Sequence, residues 1–157
     1  MDYLQFQYQA IVKSEWVDHN GHMNDAEYHR VFSDATDAWL AYLGLDKGNI
    51  RKMQYTIYTL ENHVMYLKEI KVKEAINVHV SIYDYDAKRL HVFMVLRDEN
   101  QERCATYEVM LMGINTAINK ADAFPSVLKD NIEDYAKITL INEKPKELGH
   151  PIGINHK

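Results

Sequence analysis

Polar and apolar residues alternate from Gln5 to Val12, with Phe6, Tyr8, Ala10 and Val12 on one face and Gln5, Gln7 and Gln9 on the other. That period of two predicts a half-buried strand. The period then changes. Tyr28, Val31, Phe32, Ala35, Ala38, Trp39 and Tyr42 recur at helical spacing, which predicts an amphipathic helix of roughly five turns. Asn24 stands at its expected N-cap, and Glu27 three residues on completes a capping-box pattern. Gly44 suits the left-handed position that ends a helix.

A Gly/Lys/Asn stretch after Leu45 reads as a loop, and four strand-like segments follow it. Tyr55 to Lys68 is the first; Ile76, Val78, Val80 and Ile82 alternate with polar residues in the second. Leu90, Val92, Met94 and Leu96 mark the third, and Arg103 to Ile114 the fourth. Turn residues Asp84 to Ala87 and Asp98 to Gln101 separate them. A short helix is expected near Pro125, and a weakly structured tail from Glu143. Short turns make antiparallel neighbours, so the order predicts an α+β fold with one long helix against a curved antiparallel sheet of five to six strands. The expectation is a single domain over residues 1–157, with a core at about 5–136 and a tail at 137–157. One helix leaves part of such a sheet uncovered, and pairing into a homodimer, with a tetramer as the further assembly, would cover it.

Composition narrows the function. A net charge of −5 argues against nucleic acid and against an anionic membrane surface as partners. No apolar run reaches membrane-spanning length, and Met1 to Ala10 lacks the blocks of a signal peptide, so a cytoplasmic location is expected. The single Cys104 allows neither an internal disulfide nor a multi-cysteine metal site. Its alternating strand makes it a core residue rather than a nucleophile. The 11 tyrosines suit a subunit interface or a lined pocket.

The chemistry gathers in Asp18-His19-Asn20-Gly21-His22-Met23-Asn24. A carboxylate, an amide and an imidazole fall at alternate positions just ahead of a helix whose free N–H groups can hold an oxyanion. Taken alone, Asp18 to Gly21 is equally a polar turn and Asn24 a simple cap. Asp-x-Asn-Gly-His-x-Asn followed by Tyr28 resembles the hotdog-fold acyl thioesterases, and the strand order matches that fold. Longer strings resemble the betainyl-CoA thioesterases of carnitine breakdown: Trp16 to Ala26, Phe32 to Ala38, Thr59 to His63, Tyr66 to Glu69, and Lys88 to His91. Gly149-His150 is a weaker likeness of the same kind.

The resemblance implies a hotdog dimer that binds acyl-CoA and hydrolyses it with no metal and no cofactor. It also implies a catalytic network of Asp18, Asn20, His22 and the downstream Glu69. Asn24-Asp25 stands where relatives carry an Asn pair. Asp18 is a candidate for general base or covalent nucleophile, while Asn20 would orient it or the water and His22 would hold the amide or shuttle a proton. Backbone N–H groups around Met23, Asn24 and Asp25 are the expected oxyanion donors, and Gly21 is a further substrate-binding candidate.

Further substrate contacts follow with less support. Glu61, His63, Met65, Leu67 and Glu69 share a face if their strand runs unbroken, and its carboxylates must be exposed, paired or functional; for Glu61 and His63 the solvent face of an edge strand is an equal reading. Asp34 and Asp37, one turn apart and near Tyr28, Phe32 and Trp39 in sequence, would suit a quaternary ammonium; a solvated helix face is the plainer reading. Lys88 and Arg89 would meet the phosphates of CoA. A metal site built from His19, His22, His29, His63 and His91 lacks the spacing of zinc hydrolases. A hotdog enoyl-CoA hydratase and a non-catalytic acyl-CoA-binding hotdog protein are the alternative readings.

Overall fold

A computed structural model describes residues 5–156, so the first four residues of the Met1–Ala10 stretch lie outside the described part. The order is β1 (Gln7–Ile11), a 3-10 turn (Ser14–Trp16), α1 (Asp25–Tyr42), α2 (Lys47–Met53), β2 (Tyr55–Tyr66), β3 (Ala75–Tyr85), β4 (Arg89–Arg97), β5 (Arg103–Asn115), β6 (Lys120–Ala121) and α3 (Ser126–Ile138). The strands form one sheet in the order β1-β3-β4-β5-β2, with β6 folded back on the end of β5. All pairings are antiparallel, as short turns require.

The sheet curls around α1. Its inner face carries Val78, Val80, Ile82, Leu90, Val92, Met94, Leu96, Val109 and Leu111, all buried. Val31, Phe32, Ala35 and Trp39 of α1 are buried in the same core. Tyr107 of β5 stacks flat on Phe32, with ring centroids 4.9 Å apart. The helix ends as its sequence predicts, with Gly44 at φ 109° just past the C-cap Leu43.

Several expectations give way. Asn24 makes no side-chain capping bond, and Glu27 pairs with Arg30 Nε at 3.1 Å instead of closing a capping box. The stretch read as a loop after Leu45 is α2, started by Asp46, whose carboxylate accepts the Asn49 N–H at 2.8 Å, and stopped by Gln54 at a left-handed φ of 52°. The tail from Glu143 forms no helix or strand, but its residues 147–149 pack against the sheet. Glu147 and Leu148 are buried, Arg103 Nη1 donates to Glu147 Oε1 at 2.9 Å, and Gly149 N donates to Glu108 Oε1 at 2.7 Å. Sequence polarity misled here because charged residues can be buried when a partner waits for them. α3 anchors the start of that tail: Tyr135 Oη donates to Val80 O at 2.6 Å, and Thr139 Oγ1 accepts from Ile82 N at 3.3 Å. Both bonds satisfy β3 beyond the reach of β1, which protects that edge.

β2 is different. It closes the other end of the sheet, and Tyr58, Leu60, Tyr66 and Leu67 are all exposed along or just after it. Its register with β5 shifts between Thr59 and Glu61, so Leu60 is an extra residue. One inserted residue reverses which side chains face the core. Thr59 pairs with Leu111 of the inner face, but Glu61 and His63 pair with Met110 and Glu108 of the outer face. Asn62, Val64 and Tyr66 therefore turn towards α1. No helix among the described residues is long and apolar enough to cross a membrane.

Candidate active site

The Asp18 turn is shaped by its own backbone. Asp18 N donates to His22 O at 2.9 Å, Gly21 N donates to Asp18 O at 3.0 Å, and Gly21 sits at φ 76°, where a side chain would be strained. Asp18 Oδ1 accepts from Asn20 N at 2.8 Å and from His22 N at 3.2 Å. These N–H groups, His22 foremost, hold the Asp18 carboxyl below its ordinary range, helped by the imidazoles of His19 and His22. The side chain is thus a fixed, ionised acceptor in an exposed turn.

The turn is then clamped to the segment after β2. Met23 N donates to Ile70 O at 2.8 Å, Val72 N donates to Gly21 O at 3.2 Å, and His22 forms a backbone bridge with Lys71. This antiparallel clamp brings Glu69 to His22, with Nδ1 to Oε2 at 3.4 Å. Glu69 is not on the β2 face with Glu61 and His63, because the strand ends at Tyr66.

Glu69 lines a cleft of about 330 Å³ together with Met23, Asp25, Tyr28, Tyr66, Leu67 and Lys68. Two tyrosines are braced there. Tyr28 and Tyr66 meet edge to face at 5.2 Å; Tyr28 Oη donates to Lys68 O at 3.4 Å, and Tyr66 Oη to Asp25 O at 3.2 Å. Burial pushes the Tyr28 hydroxyl up to about 12, so it stays a neutral donor. The start of α1 forms the opposite wall. Its N–H groups are partly engaged: Met23 N goes to Ile70 O, Asn24 N to Trp16 O at 2.9 Å, and Ala26 N to Asp25 Oδ1 at 2.9 Å. Asp25 N–H is the group left without an acceptor among the described residues, which narrows the expected oxyanion donors to one.

The remaining candidates lie elsewhere. Phe32 is fully buried and stacked in the core, as is Trp39, whereas Asp34 and Asp37 face solvent on the other side of α1. Asp34 is close to Tyr8 of β1, where burial first and its charge second raise the tyrosine hydroxyl. The four do not converge. Glu61 and His63 open onto a separate outer cavity of about 230 Å³ with His91, Glu108, Met110 and His150. There His91 Nε2 and Glu108 Oε2 are 2.7 Å apart. Arg89 pairs with Asp86 on the exposed turn, with Nη2 to Oδ2 at 2.6 Å. Cys104 is buried, and burial raises its thiol to about 11, in keeping with a core role. Sequence reading missed Tyr66 and assigned Asp25 only through its backbone. Both stood inside the quoted strings, but their pairing across the cleft has no linear signal.

The curled sheet around α1 and the turn ahead of it define a hotdog fold, and the model of the thioesterase-like superfamily matches residues 12–132. The chain belongs to that family. It is 33% identical to the betainyl-CoA thioesterase of Pseudomonas aeruginosa over 94% of this chain and 93% of that protein. It is 38% identical over 81% of its length to an L-carnitine dehydrogenase/betainyl-CoA thioesterase of Agrobacterium fabrum, and that match spans 26% of the longer protein. A Staphylococcus aureus protein solved in complex with CoA superposes with a TM-score of 0.93 at 39% identity, covering 99% of this chain and 98% of that one.

Proposed function

We propose that this chain is an acyl-CoA thioesterase that hydrolyses betainyl-CoA to betaine and CoA, with Glu69 as general base. The observation that carries the assignment is that Glu69 both lines the cleft and contacts His22 of the Asp18 turn. Water held by the Glu69 carboxylate attacks the thioester carbonyl and gives that carboxylate a proton. The tetrahedral oxyanion is met by Asp25 N–H at the positive end of α1. The intermediate then collapses, the C–S bond breaks, and the thiolate takes the proton back. With a leaving thiol of pKa about 8.5, expulsion needs little acid help, so the scheme calls for no metal or organic cofactor.

Asp18 and Asn20 stand behind this centre as positioning residues. Asp18 ties down the turn through the His22 and Asn20 N–H groups, and the His22 imidazole orients Glu69. The choice of betainyl-CoA rests on the names of the relatives and on the acidic lining of the cleft. The exposed apolar edge of β2 supports a homodimer formed there. A cytoplasmic location fits a CoA-ester substrate. Thiol release from betainyl-, acetyl- and butyryl-CoA tests the reading. We expect release from betainyl-CoA foremost, with loss in Glu69→Gln; no release from any ester would overturn the thioesterase assignment, and full activity in Glu69→Gln would overturn the base.

A further inference from the structure

The cleft beside Asp25 has a charge that its composition does not show. Of the described residues lining it, Asp25 and Glu69 are carboxylates and Lys68 is the cation. Lys68, however, does not serve the cleft. Its ammonium is bound by Asp98 Oδ2 and Glu102 Oε2, each at 2.8 Å, so its charge is cancelled by two acids on the turn between β4 and β5. The lining is left negative.

The second feature is the fixed ring of Tyr66. Half of the residue is exposed, at 51%, yet the ring is not free to swing. It is braced edge to face against Tyr28 and tied by its hydroxyl to the carbonyl of Asp25. Asp25 is also the residue whose N–H is open for the oxyanion. An acyl carbonyl seated on that N–H therefore lies on the same residue that anchors the Tyr66 hydroxyl. In a betainyl group the quaternary nitrogen is two bonds from the carbonyl carbon, so it stays close to the residue that holds the carbonyl.

A quaternary ammonium donates no hydrogen bond, so it is recognised by aromatic faces and by nearby negative charge. We propose that Tyr66, with Asp25 and Glu69, is the specificity wall that selects a permanently cationic acyl group. This rests on the thioesterase reading above and names the side chains that choose the substrate. It also moves recognition away from Asp34 and Asp37. Tyr66 arrives at this wall because the extra residue at Leu60 turns the end of β2 inward.

The test compares betainyl-CoA with 3,3-dimethylbutyryl-CoA, which has the same shape with carbon in place of the charged nitrogen. Wild-type protein is expected to favour betainyl-CoA in kcat/KM by about tenfold or more. Tyr66→Leu keeps bulk but loses the π face, and its ratio should fall to within about threefold of unity. Tyr66→Phe keeps the face and should retain most of the preference; thermal melting of both variants checks that the fold is unchanged. Equal wild-type rates on the two esters would overturn the cation claim while leaving the thioesterase standing. A preference that survives in Tyr66→Leu would overturn the role of Tyr66. If wild-type protein releases thiol from neither ester, the underlying thioesterase reading itself fails.

Discussion

His22 Nδ1 lies 3.4 Å from Glu69 Oε2, joining a turn ahead of α1 to the segment after β2. Neither group reaches the other by local structure. The backbone bridges Met23 to Ile70 and Val72 to Gly21 make the contact, so the pair exists only in the folded chain. If the two act as one unit, removing both should cost little more than removing Glu69. Glu69→Gln is expected to lower kcat by about 10²- to 10⁴-fold, and His22→Ala with Glu69→Gln should not go much further. Thiol-release kinetics on the single and double variants check this. Multiplied losses would mean that the two side chains act separately.

Asp18 gives a pH prediction whose sign follows from its hydrogen bonds. Its folded pKa is lowered, chiefly by the His22 N–H, so the ionised form is favoured. The turn it stabilises is intact above the ordinary aspartate range and is lost as pH falls through the lowered value. Activity in wild-type protein should therefore keep Asp18 ionised through the ordinary carboxylate range. Asp18→Asn should weaken turnover at neutral pH and remove any acid limb that Asp18 contributes. A kcat/KM profile of both proteins reads this directly, and identical profiles would sink it.

Asp98 is buried, accepts from Lys68, and also caps its own turn by accepting from Asn100 N at 2.9 Å and Glu102 N at 3.0 Å. The Lys68 hydrogen bond is the main reason its carboxyl is lowered. Stability from this group is present above the ordinary aspartate value and disappears as pH drops through the lowered one. Asp98→Ala is expected to destabilise the fold by about 2 kcal/mol from the lost turn bonds, and to make acid unfolding less steep. It also leaves the Lys68 ammonium held by Glu102 alone, so more of its charge reaches the cleft and preference for a cationic acyl group should decline. Urea unfolding at several pH values and the two-ester comparison measure the two effects.

Gly113 is required for packing. A Cβ there would collide with the Tyr55 hydroxyl and ring and lie 3.0 Å from Asp122 O, the acceptor of the Tyr55 hydroxyl at 2.9 Å. Gly113→Ala must displace Tyr55, and a loss of about 3 kcal/mol is expected from overpacking and the broken bond. Adding Tyr55→Phe to Gly113→Ala should recover part of that loss, because the hydroxyl is the atom in the way. Melting curves of the single and double variants decide it.

Local pattern determined a good deal of this protein. The alternation of β1, the helical spacing of α1, the glycine at its end and the Asp18 turn were each written in neighbouring residues, because strand, helix and turn preferences act over a few positions. The short turns at Asp84 and Asp98 likewise forced antiparallel strands and hence the α+β fold. Where the outcome depended on distant partners, the linear reading stopped. The extra residue at Leu60 sent Glu61 and His63 outward and Tyr66 inward, since a sheet has period two and one insertion exchanges its faces. Residues 147–149 of the polar tail pack on the sheet because Arg103 and Glu108 hold them there. Asp34 and Phe32, two positions apart, ended on opposite sides of the same helix. The sequence by itself named a carboxylate turn ahead of a long helix; tertiary structure alone decided that Glu69 would meet it and that Tyr66, Asp25 and a neutralised Lys68 would share its cleft. Those relationships join segments 30 or more residues apart, and packing, backbone bridges and cancelled charge set them rather than any local preference.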